Sequence, residues 1–249
     1  QPGFLDESLK LRLRDENFWG FRMFFINRLT LISAVIGASV IFTPLVHAIE
    51  RSDILWHITQ QCVDIKASGY CSNCLIPQSG AACQSAPLSC EKSLEVWAQN
   101  DAFFVMRDIK MCGCPSSFVH GLAIPKSKVT GVEDVNRPND IWSFAWQAAL
   151  ARIPRDEVAL VVKPRLHRSQ NQLHVHIVRL NPSSAKSLSQ RVVAQTDSID
   201  KVWALALQAS KEKSWDDYGV LVKSDGASGF QIVITQESPE YVFTHAKCS

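Results

Sequence analysis

The chain has 249 residues and a formal net charge of +2, with 46% hydrophobic and 20% charged residues. That composition supports a sizeable core and excludes wholesale disorder. A charge so near zero excludes a general nucleic-acid binder, which needs a strong basic excess.

The first element in chain order is an apolar run, residues 29–49, reading LTLISAVIGASVIFTPLVHAI and carrying no charged side chain apart from His47. At about 1.5 Å per residue its length matches a hydrocarbon layer of about 30 Å. Arg22 and Arg28 precede it, and Glu50 and Asp53 flank Arg51 after it. By the positive-inside rule residues 1–28 are cytoplasmic, 29–49 anchor the chain, and 50–249 form an exported domain. A cleaved signal peptide starting at Met23 and ending at Val46-His47-Ala48 is the alternative, and a buried core helix is a third. The first two place the following domain in the periplasm, anchored at a bacterial inner membrane or released.

All eight cysteines (62, 71, 74, 83, 90, 112, 114 and 248) follow the run. An even number in an oxidising compartment predicts disulfides, with 105 connectivities open. A four-thiolate zinc site from Cys71, Cys74, Cys112 and Cys114 is the rival.

A helix is predicted from Asp53 to Ile65, then a cysteine-stapled loop over residues 66–92. Strands are predicted at 102–107, 118–124, 158–162, 173–180, 219–223 and 230–235, with Ser224 to Gly229 turning the last two into a hairpin. One helix follows Pro138 and Asn139, with Trp142, Ala145, Trp146 and Leu150 on one face. Another starts near Asp197 or Ser198 and carries Ile199, Val202, Trp203 and Leu207. The mixture predicts an α+β domain with an antiparallel sheet flanked by helices.

In the strand at 173–180, Leu173, Val175 and Ile177 alternate with His174 and His176. The apolar set faces a core, and the histidines project from the other face about 7 Å apart. From Val158 through Thr196 there are six basic residues (Lys163, Arg165, Arg168, Arg179, Lys186, Arg191) and no acidic one. Such a field suits an anion, and positive charge favours the neutral imidazole that a nucleophile requires. A metal-binding His-x-His pair, a structural pair and a merely solvated basic face are the competing readings. The basic groups, with no carboxylate nearby in sequence, oppose the metal.

Gln170-Asn171-Gln172-Leu173-His174-Val175-His176-Ile177 resembles the histidine-triad signature, in which histidines alternate with apolar residues. Phe118-Val-His-Gly-Leu-Ala-Ile-Pro-Lys126 resembles that superfamily's strand ending in Ile-Pro-Lys. Trp142-Ser-Phe-Ala-Trp-Gln147, the Arg168-Ser-Gln-Asn171 lead-in, Tyr218-Gly219 and the near-terminal Cys248 are similar to the bacterial CDP-diacylglycerol pyrophosphatases within it.

The resemblance implies a histidine-triad-like fold over roughly residues 54–249 and a membrane-associated, exported enzyme. It implies hydrolysis of CDP-diacylglycerol to CMP and phosphatidate through a nucleotidyl-histidine, with no metal or other cofactor. His174 aligns as the nucleophile and His176 as the third triad member, which contacts phosphate and leaving group. Lys126, Arg168, Ser169 and Gln170 are implied as phosphate ligands. The first triad histidine is replaced by Gln172, which orients but carries no proton at neutral pH. Lys163 stands where the superfamily has Asn. A register with His174 first, His176 central and Val178 in place of the third histidine leaves Gln170-Asn171 out of line. An incomplete triad keeps a non-catalytic nucleotide-lipid or anion-binding domain as the alternative. Trp97, Trp142, Trp146, Trp203 and Trp215 are candidates for an interfacial or acyl-chain surface, with core packing the competing reading for Trp142 and Trp146.

Overall fold

The computed structural model describes residues 52–74 and 93–248. The chain divides into two compact units, Gln1–Val46 and His47–Ser249, and every described residue lies in the second. The expected membrane or signal segment at 29–49, Cys83 and Cys90 lie outside the described residues. No helix among the described residues is long and apolar enough to cross a membrane.

Eight strands form one sheet: β1 (Val96–Gln99), β2 (Phe103–Arg107), β3 (His120–Pro125), β4 (Val158–Val162), β5 (Val175–Arg179), β6 (Val192–Thr196), β7 (Gly219–Ser224) and β8 (Phe230–Thr235). Their order is β1-β2-β3-β5-β4-β7-β8-β6, and every neighbouring pair is antiparallel. The α+β expectation is therefore met. The six predicted strands are present, two of them with the same ends. The predicted turn is also present, with Gly226 at φ +91° and the Asp225 carboxylate accepting from the backbone of Ala227 and Gly229. The two strands not predicted, β1 and β6, are the sheet edges. Each is short and half-exposed with an irregular register, so neither shows a clean alternation of apolar residues.

One face of the sheet is dry. Helices α3 (Ile141–Leu150) and α5 (Val202–Glu212) pack on it, and Leu160, Val175, Ile177, Val220 and Ile232 meet Trp142, Trp146 and Trp203 there. Burial of these three tryptophans corrects the interfacial reading, since an indole in the core meets no headgroup. Trp97 and Trp215 are half-buried and pack against the same core. Leu150, the last residue of α3, and Leu207, midway along α5, are expected on the buried faces but are partly exposed.

The other face carries two smaller apolar clusters. Helix α1 (Ile54–Gln61), shorter than predicted, covers Phe104, Met106, Leu122 and Ile124. Helix α4 (Ala185–Ser189) and helix α6 (Pro239–Phe243) cover Val161, Val178, Leu221 and Val233 through Leu188 and Phe243. The one-turn helix α2 (Tyr70–Asn73) lies within the predicted loop and brings Cys74 to Cys62. Cys114 pairs with Cys248, and Cys71 and Cys112 are also disulfide-bonded. Disulfides thus replace the zinc alternative, because its four cysteines have no thiolate left to offer.

Candidate active site

A pocket of about 280 Å³ opens on this second face, between the two clusters. Its polar wall is Asp108, Lys110, Lys163, Ser169, Gln170, His174 and His176. Helix α1 supplies Ile54, Leu55 and Ile58 to the apolar wall, which Met106, Ile109 and Leu122 complete. A short backbone pairing positions the helix. Ser52 N–H donates to the Ser169 carbonyl, Asn171 N–H donates to the Ser52 carbonyl, and the Asn171 amide donates to Asp53 at 2.8 Å.

His174 lies just before β5, outside the ladder that starts at Val175. The Gln172 carbonyl is therefore free to meet His174 Nδ1, at 2.8 Å. A carbonyl only accepts, so Nδ1 carries the hydrogen and Nε2 keeps a lone pair. The His174 and His176 rings are 4.7 Å apart between centroids, closer than strand rise predicts, and meet edge to face. Burial pushes His174 down to about 4, with Lys163 adding to the effect and the Gln172 bond opposing it. His176 lies well below the usual imidazole range, through burial first and then its neighbours His174 and Lys163. The expected neutral state follows, but its main cause is desolvation rather than the basic stretch.

That stretch disperses in space. Arg168 makes a bidentate pair with Glu133, Arg179 pairs with Glu157, and Arg191 pairs with Glu237. Lys163 is its basic residue in the pocket, and the second ammonium there, Lys110, comes from outside the stretch. Both contact Glu240, a fully buried carboxylate on α6, with Lys110 Nζ 2.6 Å from Oε1 and Lys163 Nζ on Oε2. Burial works to raise Glu240, but Lys163, Lys110 and His120 outweigh it and hold the carboxyl below its ordinary value.

The candidate residues divide accordingly. His174, His176, Lys163, Ser169 and Gln170 meet in the pocket. Gln172 is buried behind it, where its amide nitrogen donates to the carbonyls of Pro125 and Ser127 and its oxygen accepts from Val129 N–H at 3.4 Å. Arg168 is held by Glu133, in space that a side chain at Gly131 would fill: a Cβ there would lie 1.9 Å from the guanidinium. Lys126 donates to the Asn100 carbonyl at 2.6 Å and does not line the pocket.

Sequence reasoning missed four residues. His120 on β3 is fully buried, with Nε2 3.1 Å from His176 Nδ1 and Nδ1 3.3 Å from Asp108 Oδ2. The pairing of Leu122 with His176 sets His120 diagonally beside it on the same face. Asp108, Lys110 and Glu240 complete the group. Only His120 had a visible signal, its place in the Phe118–Lys126 block. The carboxylates lie 66 residues before and 66 residues after His174 in sequence. Asp108, His120 and His176 approach within 4.8 Å of one another, as metal ligands would. No carboxylate lies near the histidines in sequence, as expected, but Asp108 and Glu240 reach them through space. A cation there would face Lys110 and Lys163, and His120 and His176 already bond to each other, which is the pattern of a hydrogen-bonded chain.

A family model described as CDP-diacylglycerol pyrophosphatase matches residues 50–238. A curated relative, the probable CDP-diacylglycerol pyrophosphatase of Mycobacterium leprae (strain TN), is 33% identical over 81 residues. That alignment covers 28% of this chain and spans 30% of the relative. The family match spans both histidines and every pocket-lining residue, and on it the chain belongs to the CDP-diacylglycerol pyrophosphatase family.

Proposed function

We propose that the domain hydrolyses the phosphoanhydride of CDP-diacylglycerol to CMP and phosphatidate, with His174 carrying the nucleotidyl group between two half-reactions. The observation behind this reading is the Gln172 carbonyl on His174 Nδ1, which leaves the Nε2 lone pair available at a pocket that also holds two ammonium groups. In the first half, Nε2 attacks the cytidylyl phosphorus, the N–P bond forms, and the anhydride P–O bond breaks to release phosphatidate. In the second, water displaces His174 from phosphorus and CMP leaves. Splitting the displacement lets one positioned imidazole serve both halves. In this reading Lys110 and Lys163 offset charge on the phosphoryl oxygens, and Ser169 and Gln170, on the same pocket wall, donate hydrogen bonds to them. His176 contacts the phosphate and leaving group, in a histidine-triad-like arrangement without its first histidine.

The apolar wall suits the diacylglycerol half of the substrate. Ile54 and Ile109 on that wall are 41% and 55% exposed, a cost in water that acyl chains or a lipid surface would offset. We place the domain on the periplasmic side of a bacterial inner membrane, held by residues 29–49 or released after cleavage. The disulfides Cys62–Cys74 and Cys114–Cys248 support an oxidising compartment.

Incubation with CDP-diacylglycerol labelled in its cytidylyl phosphate, followed by quenching and mapping, tests the reading. Label on His174 is expected. Label on another residue, or full turnover by His174→Ala, overturns it. Ligand-dependent thermal stabilisation without any CMP would favour a binding module instead.

A further inference from the structure

The proposed chemistry uses His174 and His176 and leaves a buried group behind them unassigned. Asp108 Oδ2 lies 3.3 Å from His120 Nδ1, and His120 Nε2 lies 3.1 Å from His176 Nδ1. A carboxylate beside Nδ1 favours the hydrogen there, so His120 Nε2 is an acceptor and His176 Nδ1–H donates to it. His176 is thereby held in the tautomer whose Nε2 carries a lone pair. Glu240 sits on the same group, with Oε1 3.3 Å from His120 Nε2 and Oε2 3.9 Å from His176 Nε2. Lys110 occupies Oε1, which relieves the repulsion between that oxygen and the His120 lone pair.

We propose that Asp108 and His120 are positioning residues for the second half-reaction, acting through His176 as a relay. The inference rests on the nucleotidyl-His174 reading. Water attacks the phosphorus on His174, and its proton passes to His176 Nε2. The new P–O bond forms as the P–N bond breaks, and His174 leaves as a neutral imidazole that keeps its Nδ1 hydrogen. His176 becomes an imidazolium, whose charge is shared through His120 with Asp108 and met directly by Glu240. The proton then returns to solvent. The first half has little need of this device, because a phosphate monoester leaves readily without protonation. The arrangement of carboxylate, buried imidazole and reacting imidazole follows the orienting logic of a catalytic triad.

The groups that face His176 are His174 just before β5, His120 on β3, Asp108 and Lys110 after β2, Lys163 after β4 and Glu240 on α6. The test is rapid-quench kinetics on the full chain with labelled CDP-diacylglycerol, comparing wild type with Asp108→Asn, His120→Gln and His120→Ala. Asp108→Asn is expected to form labelled His174 but release CMP about 10²-fold more slowly, so the labelled protein accumulates. Its acid limb in the pH–rate profile moves to lower pH, because loss of a carboxylate disfavours the imidazolium. His120→Gln retains an acceptor for His176 Nδ1–H and is expected to release CMP faster than His120→Ala. Parallel loss of labelling and release in folded Asp108→Asn, or an unmoved acid limb, overturns the relay. So does turnover that a chelator abolishes and a divalent cation restores. Wild type that turns over without ever labelling His174 instead defeats the parent reading.

Discussion

The two faces of the sheet are built on different principles. Under α3 and α5 a single extended cluster is apolar throughout and holds the fold by burial. The opposite face has two thin clusters separated by His120, His174, His176, Asp108, Lys163 and Glu240. Its covering helices are short, and covalent bonds secure their surroundings. Cys62 follows α1 directly and pairs with Cys74, while Cys248, five residues beyond α6, pairs with Cys114. A face that carries buried charge gives up hydrophobic stabilisation, and here cross-links limit the freedom of the unfolded chain instead. Stability and chemistry are thereby divided between two surfaces of the same strands.

The sharpest break of that division is His174→Ala, expected to lower CMP release by about 10⁴-fold, or about 5.4 kcal/mol of transition-state stabilisation. Its urea midpoint at pH 7 should stay close to wild type. Cys114→Ser comes next. Opening a link across 134 residues should cost about 4–5 kcal/mol of stability, read by denaturation of oxidised protein. Leu160→Ala, on the dry face, should cost about 2–5 kcal/mol in the same measurement while turnover per folded molecule is unchanged. A large fall in turnover per folded molecule would show that the faces are not independent.

Acid should act on the polar face. His120 and His174 are each held down to about 4, burial being the first cause, against an ordinary value of 6.5. Between those values the unfolded chain binds protons that the folded chain refuses. Stability is therefore full above 6.5 and falls as pH drops toward 4, by up to about 1.4 kcal/mol per pH unit for each histidine. Urea midpoints across that range check the sign, and a His174→Ala chain should show the shallower slope. The smallest effect is expected at the pocket rim. Ile109→Ser should raise KM for a long-chain CDP-diacylglycerol by about fivefold, near 1 kcal/mol of lost apolar burial. A water-soluble cytidine diphosphate ester should show no such rise.

Much of the sheet was legible because its central strands are rich in β-branched residues and bounded by turn residues. The pattern Leu173-His174-Val175-His176-Ile177 alone put two imidazoles opposite a core. The edge strands escaped because half-exposure erases periodicity. Helix α6 escaped because five residues carry too little pattern. Within the site, the basic stretch and the family resemblance pointed to Lys163, and the resemblance alone to Ser169 and Gln170; all three line the pocket. Arg168 and Lys126 were equally prominent, but Glu133 and the Asn100 carbonyl hold them elsewhere. No local rule reveals such competition between a ligand and an internal partner.

The sequence by itself determined that an antiparallel α+β domain follows an apolar run, and that His174 and His176 share a face. Both follow from short-range periodicity and composition. Only the tertiary structure decided which charges those histidines meet. Asp108 with Lys110, His120 and Glu240 arrive from three separate places in the chain, because β3 pairs with β5 and α6 folds back over the sheet. The electrostatics of a buried site depend on distance through space, which one-dimensional order does not encode.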